Sequence, residues 1–160
     1  MKVVSTAVSV QNAMSYGPIL AAGLLSGVLD LTAAFVTSGL RGASPIRVLQ
    51  FIASGLLGTD SFKGGLGSAS LGLVSHFLVA FGASAVFYAA SRKLDLMTEQ
   101  AIVSGILYGV AVYLFMDLVV VPLSAVSRPK VPFASIVIGL AVHIICVGLP
   151  ISLTIRWYSK

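Results

Sequence analysis

The two histidines of this 160-residue chain lie inside long apolar segments and share a local sequence pattern. Residues 71–76 read LGLVSH and residues 138–143 read IGLAVH, and a Gly-x-x-x-Gly motif lies upstream of each, at residues 23–27 and 105–109. An ionisable side chain in the hydrocarbon of a membrane is costly, so it is a candidate functional group. The repeated order predicts a duplicated helical hairpin, with a histidine at the equivalent point of each second helix.

The amino-acid composition is typical of an integral membrane protein. The chain is 58% hydrophobic and only 9% charged, whereas soluble domains carry about 25% charged residues. Its net charge of +5 comes from basic residues in short segments between apolar runs. We therefore expect contacts with the lipid bilayer and anionic headgroups, and none with nucleic acid. The expected location is the bacterial cytoplasmic (inner) membrane, and the orientation is undetermined because Lys and Arg divide evenly between the two sides.

Four apolar segments are long enough to cross a bilayer, which takes about 20 residues. They cover approximately residues 18–37, 69–90, 101–121 and 132–155. Pro122 is expected to end the third span, and Pro150 is expected to kink the fourth.

The predicted fold is an all-α integral membrane protein in a single membrane domain over residues 1–160. The four spans form two tandem helical hairpins, repeat one at about residues 17–91 and repeat two at about residues 99–158. Two spans per repeat leave both copies in the same orientation. The pseudo-two-fold axis is therefore expected to run along the membrane normal.

Repeat one contains an insertion, predicted as a short interfacial helix at about residues 45–58. Ser44 and Pro45 make a suitable cap and first turn. Arg47, Gln50 and Ser54 recur at spacings of three and four and so share one helical face. This pattern favours an amphipathic helix that lies in the membrane interface or dips into it. A flexible glycine-rich loop is expected after it, over residues 58–67.

Each span contains one ionisable residue, and the alternating helix directions place all four at the midplane or in one half of the bilayer: Asp30, His76, Asp117 and His143. Small residues share the helix faces of Asp30 and both histidines, so these three are expected to face other helices. His76, His143 and Asp30 form the candidate ligand or proton site. Asp117 and Cys146 are secondary candidates, with Cys146 as a soft metal ligand.

Each candidate also has a structural interpretation. Asp30 and the histidines can act as polar clasps between helices, Asp117 as a solvated interfacial carboxylate, and Cys146 as a small hydrophobe. Arg41, Arg47 and Lys63 are expected to contact anionic headgroups, or an anionic ligand. The identity of any metal stays open.

Three functions compete on these observations. The first is a non-enzymatic accessory or structural subunit, in a homo-oligomer or larger membrane complex, that binds a cofactor at the paired histidines. The second is a redox protein in which the histidines ligate a b-type haem or a metal. The third is an oligomeric proton-linked transporter or channel that uses the Asp and His groups as a relay. Enzyme activity is not expected, because the short loops contain no recognisable catalytic module.

Overall fold

The computed structural model describes residues 16–125 and 132–160, which are helical apart from short connections. The helices are α1 (Tyr16–Gly39), α2 (Pro45–Leu57), α3 (Gly65–Ser91), α4 (Ala101–Leu123) and α5 (Phe133–Tyr158). All except α2 are long and apolar enough to cross a membrane, with 23 to 27 residues each. The chain is therefore an integral membrane protein with four candidate spans, at the positions that hydropathy predicts.

Helices α4 and α5 each contain a π-helical turn that ends two positions before a proline. These turns are Met116–Val120, before Pro122, and His143–Gly148, before Pro150. A proline has no N–H, and its ring clashes with the carbonyl four residues earlier; a wider turn relieves the clash. The third span ends at Leu123, one residue after Pro122, close to the end that this proline predicts.

Helix α2 begins and ends at residues suited to those positions. The Ser44 side chain accepts a hydrogen bond from the Arg47 backbone N–H at 3.3 Å, and Pro45 occupies the first turn. Gly58 ends the helix with a φ of +59°, a conformation that favours glycine. The prediction of a flexible loop after α2 is wrong. Gly58–Lys63 forms a 3₁₀ helix, and α3 begins at Gly65.

The polar residues of α2 are turned toward the protein. Gln50 and Ser54 are buried, and the Gln50 side-chain amide donates to the Gly65 carbonyl at 3.1 Å. The Arg47 guanidinium stacks over the Phe62 ring at 3.9 Å. Phe51 instead is exposed. Two of the three residues assigned to a polar face from the sequence, Gln50 and Ser54, therefore lie inside the protein, and the interfacial amphipathic helix stays a prediction.

Glycines let α1 approach α3 closely and let α4 approach α5 closely. On α1, Gly23 and Gly27 lie against the Phe81 and Phe77 rings of α3. On α4, Gly105 and Gly109 lie against the backbone of α5, at residues 143–149. Helix α1 also packs on α5, so it lies between α3 and α5.

A core closes the end of the bundle where α1 begins and α5 ends. The buried side chains come from α1, α3 and α5: Ile19, Ala22, Phe87, Tyr88, Val147, Ile151 and Ile155. Tyr108 joins α4 to this core, because its hydroxyl donates to the Ala83 carbonyl at 2.6 Å and its ring centroid lies 5.0 Å from that of Phe87.

At the other end, α2 connects α3 with the end of α4. A Cβ added at Gly72 of α3 would collide with the Leu49 carbonyl oxygen and lie 2.8 Å from its carbon. The Ala125 N–H, just after α4, donates to the Gly55 carbonyl at 3.0 Å. Helix α2 therefore packs against α3 and against the end of α4 on this side of the bundle.

The contact at Gly72 yields a stability prediction. Gly72→Ala should destabilise the protein by about 1–3 kcal/mol, because a methyl group meets rigid backbone rather than a movable side chain. Gly82→Ala is the matched control: it lies on the same helix, with no atom within 4 Å of the place that a Cβ would occupy, and should be neutral or slightly stabilising. Thermal unfolding in detergent measures both, and equal midpoints for the two variants would contradict the packing of α2 on α3.

Candidate ligand site

A cavity of about 850 Å³ lies between the five helices, on the side of the bundle closed by α2. Most of its lining is aliphatic or aromatic. The Asp or His residue of each candidate span lines it: Asp30, His76, Asp117 and His143. The candidate set from the sequence therefore converges on one space in the structure, and Asp117 joins the three primary candidates.

His76 of α3 is held by the backbone of α1. Its Nε2 lies 2.9 Å from the Gly27 carbonyl oxygen. A carbonyl oxygen only accepts hydrogen bonds, so Nε2 carries the proton and donates. The close approach at Gly27 brings this carbonyl within reach. In the neutral imidazole, Nδ1 is left as an acceptor.

His143 of α5 has the opposite tautomer. Its Nδ1 donates to the Gly139 carbonyl of its own helix at 2.9 Å, which leaves Nε2 as an acceptor. The Tyr113 ring of α4 packs edge-on against the imidazole, with centroids 5.4 Å apart and planes at 73°. His143 begins the π-helical turn of α5, so the irregular backbone of that helix lies at the site.

The donor atoms limit how a metal or haem can be held. Each histidine keeps one ring nitrogen able to ligate a metal, Nδ1 in His76 and Nε2 in His143. Within residues 16–125 and 132–160, no group of three or more His, Cys, Asp or Glu side chains is suited to a metal ion. Cys146 lies in the same π-helical turn as His143, but it is not among the residues that line the cavity.

The two carboxylates come from opposite sides of the cavity. Asp30 lies on α1, and Asp117 lies on the π-helical turn of α4. Both are half-buried. Among the residues that the structure describes, no Lys or Arg lines the cavity, and Asp30 has no hydrogen bond or ion pair there.

The three basic residues expected to contact headgroups each have a protein partner. Arg41 donates to the Ser135 hydroxyl of α5 at 3.2 Å. Arg47 stacks on Phe62. Lys63 forms an ion pair with Asp60 at 3.1 Å, and both side chains are largely exposed. Their contact with lipid stays a prediction.

Two features of the site were not identified from the sequence. Tyr113 lines the cavity beside His143; its position four residues before Asp117 is a signal that places both on one helical face. The Gly27 carbonyl, which fixes His76, leaves no side-chain signal. Only the Gly-x-x-x-Gly motif marks the place where α1 and α3 come close.

Comparisons with protein-family models, with curated proteins and with solved structures give no match for this chain. Its function is therefore inferred from the geometry of the cavity and the chemistry of the residues that line it.

The hydrogen bonds of the histidines can be tested directly. Nitrogen-15 NMR of histidine-labelled protein at neutral to mildly alkaline pH should show one Nε2–H and one Nδ1–H tautomer. The His76→Gln variant should lose the Nε2–H signal, and the His143→Gln variant the Nδ1–H signal. Two Nε2–H tautomers would contradict the bond from His143 to Gly139.

Proposed function

We propose that the chain is a non-enzymatic membrane protein that binds a small ligand or cofactor in this cavity, as an accessory or structural subunit of a homo-oligomer or larger membrane complex. The observation that carries the proposal is the convergence of His76, His143 and Asp30 on one cavity of about 850 Å³. Ligand pockets in proteins measure about 300–1,000 Å³ and are mostly apolar with a few polar groups. The cavity has that size and that mixture.

The proposal includes an origin of the fold in two tandem hairpins. Matching contacts support it. Gly23 and Gly27 meet residues five and one positions after His76, and the contacts of Gly105 and Gly109 include the residues five and one positions after His143, with Ser152 nearest to Gly105. The same pairing of motifs therefore recurs in both hairpins, although an aromatic ring fills the first interface and glycine backbone the second.

The proposal also assigns α2 to the membrane interface. Arg41 and Lys63 lie at the ends of the segment that contains it, where headgroup phosphates would be within reach of their side chains. Exposed Phe51 and Leu56 would then face hydrocarbon.

A transport function is the second candidate, favoured by the two carboxylates and two imidazoles around one space. Such groups serve as proton relays in membranes, and π-helical turns often occur at functional sites. The transport function predicts a proton flux in liposomes that Asp30→Asn abolishes, whereas ligand binding alone predicts no flux.

Native mass spectrometry of the protein from nanodiscs tests ligand binding. Ala34 lines the cavity and is half-buried, so Ala34→Phe should fill part of the space and expel the ligand. Ala89→Phe is the matched control, on an exposed position of α3 outside the cavity. We expect one bound molecule per chain in the wild type and in the control, and none in Ala34→Phe.

An optical spectrum and metal analysis of the same samples identify the haem or metal alternative. A Soret band lost in a His76→Ala/His143→Ala double variant would assign the ligand as haem. Wild-type protein that carries no bound molecule, even after haem and a total lipid extract are supplied, would contradict the proposed function.

A further inference from the structure

Three ionisable groups of the cavity, Asp30, His76 and His143, offer hydrogen-bond acceptors to a ligand. His76 and His143 each use their N–H on a backbone carbonyl, at 2.9 Å in both cases. The remaining nitrogen of each neutral imidazole accepts, and the Asp30 carboxylate has acceptors only. A ligand that satisfies this set must bring hydrogen-bond donors.

The charge of the lining favours the same kind of ligand. Asp30 lies in the cavity with no Lys or Arg among the described lining residues. A carboxylate in a poorly hydrated place is stabilised by a nearby cation or by protonation. A positively charged ligand supplies that cation, and the Tyr113 ring of the lining offers additional cation–π surface.

The rim of the cavity indicates an apolar body. Three lining residues are strongly exposed on the outer surface: Phe51 at 54%, Leu78 at 66% and Leu123 at 83%. They come from α2, α3 and α4, so the opening between these helices is apolar. In a membrane such a rim faces acyl chains, and a molecule that enters there must itself be soluble in hydrocarbon.

We propose that the cavity binds an organic cation, a protonated amine on an apolar body, with the ammonium group at Asp30. This inference rests on the proposed function of the cavity as a ligand site and names the chemical class of the ligand. An ammonium group has three donors and no acceptor, so it complements the Asp30 carboxylate in a cavity whose two histidines also offer acceptors. An anion, or a neutral molecule with acceptors only, would place its acceptors against the acceptors of the cavity and form no hydrogen bond with them.

Three probes with one apolar body test the proposal: 1-aminoadamantane, 1-adamantanol and 1-adamantanecarboxylate. Their affinities are measured by isothermal titration calorimetry on the full chain in phosphatidylcholine nanodiscs, with empty nanodiscs as the blank. The amine is charged at pH 7, as the Lys side chain is. We expect the amine to bind once per chain and more tightly than the alcohol, and the carboxylate not to bind.

A matched pair of variants locates the charge. Asp30→Asn should weaken amine binding by about tenfold to hundredfold, the effect of losing a hydrogen bond to a charged group, and should leave alcohol binding unchanged. Asp60→Asn removes the same charge at an exposed position outside the cavity, and should change neither affinity.

The outcomes separate the two proposals. If the alcohol or the carboxylate binds as tightly as the amine, or Asp30→Asn leaves amine affinity unchanged, the cationic class is wrong while the cavity remains a ligand site. Absence of binding by all three probes also overturns the cationic class, and the mass spectrometry of co-purified ligand then decides the proposed function. The wild-type comparison of amine with alcohol is decisive even if Asp30→Asn fails to fold.

Discussion

Close packing of helices at glycine is the constraint on which this structure depends. Gly27 brings α1 against α3, Gly105 and Gly109 bring α4 against α5, and Gly72 brings α2 against α3. Lipid tails are as apolar as the side chains they replace, so membrane helices associate through such packing rather than through the hydrophobic effect. Where α3 faces α4, the contact instead uses the long Tyr108 side chain. The space between these helix pairs stays open beyond Tyr108, and that space is the cavity.

The polar groups of the cavity are tolerated in a membrane because the backbone satisfies part of their hydrogen bonding. Gly27 provides a carbonyl to His76 across the helix interface, and Gly139 provides one to His143 within its own helix. The prolines contribute differently. Pro122 and Pro150 each follow a π-helical turn, and these turns contain Asp117 and His143. The two helices are thus irregular at the depth where they carry ionisable groups, a position that membrane proteins tolerate where backbone lines a cavity or is buried in protein.

Much of this architecture is predictable from the sequence, and the rest fails for identifiable reasons. Hydropathy locates the four spans because each needs an unbroken apolar run. Spacing predicts which residues of α2 share a polar face, but it does not predict whether that face points toward lipid or toward the protein. Burial of Gln50 depends on the Gly65 carbonyl, which becomes available as a hydrogen-bond partner only in the folded chain. The 3₁₀ helix at Gly58–Lys63 was missed because four glycines over residues 58–67 indicate flexibility when no neighbour is known. Pro122 lies within α4 because a π-helical turn absorbs the clash that usually ends a helix.

For the site, helix direction and depth predict that Asp30, His76, Asp117 and His143 lie on one side of the membrane, and the four residues line the same cavity in the structure. Sequence could not assign the tautomers, since these depend on which carbonyl lies nearest each ring. It could not reveal the cavity either, because an open volume is a property of helix crossing and not of any one helix. Tyr113 was not identified because its role depends on a contact with His143, which lies on a different helix.

The central claim is that four ionisable groups from four helices line one cavity on the side of α2. Single substitutions Asp30→Cys, His76→Cys, Asp117→Cys and His143→Cys, each in a Cys146→Ser background, can be treated with a water-soluble thiosulfonate reagent from either side of sealed vesicles. Leu107→Cys, on an exposed position of α4 outside the cavity, is the reference. We expect all four positions to react from the same side and faster than the reference. Reaction from opposite sides, or at the rate of the reference, would contradict the claim.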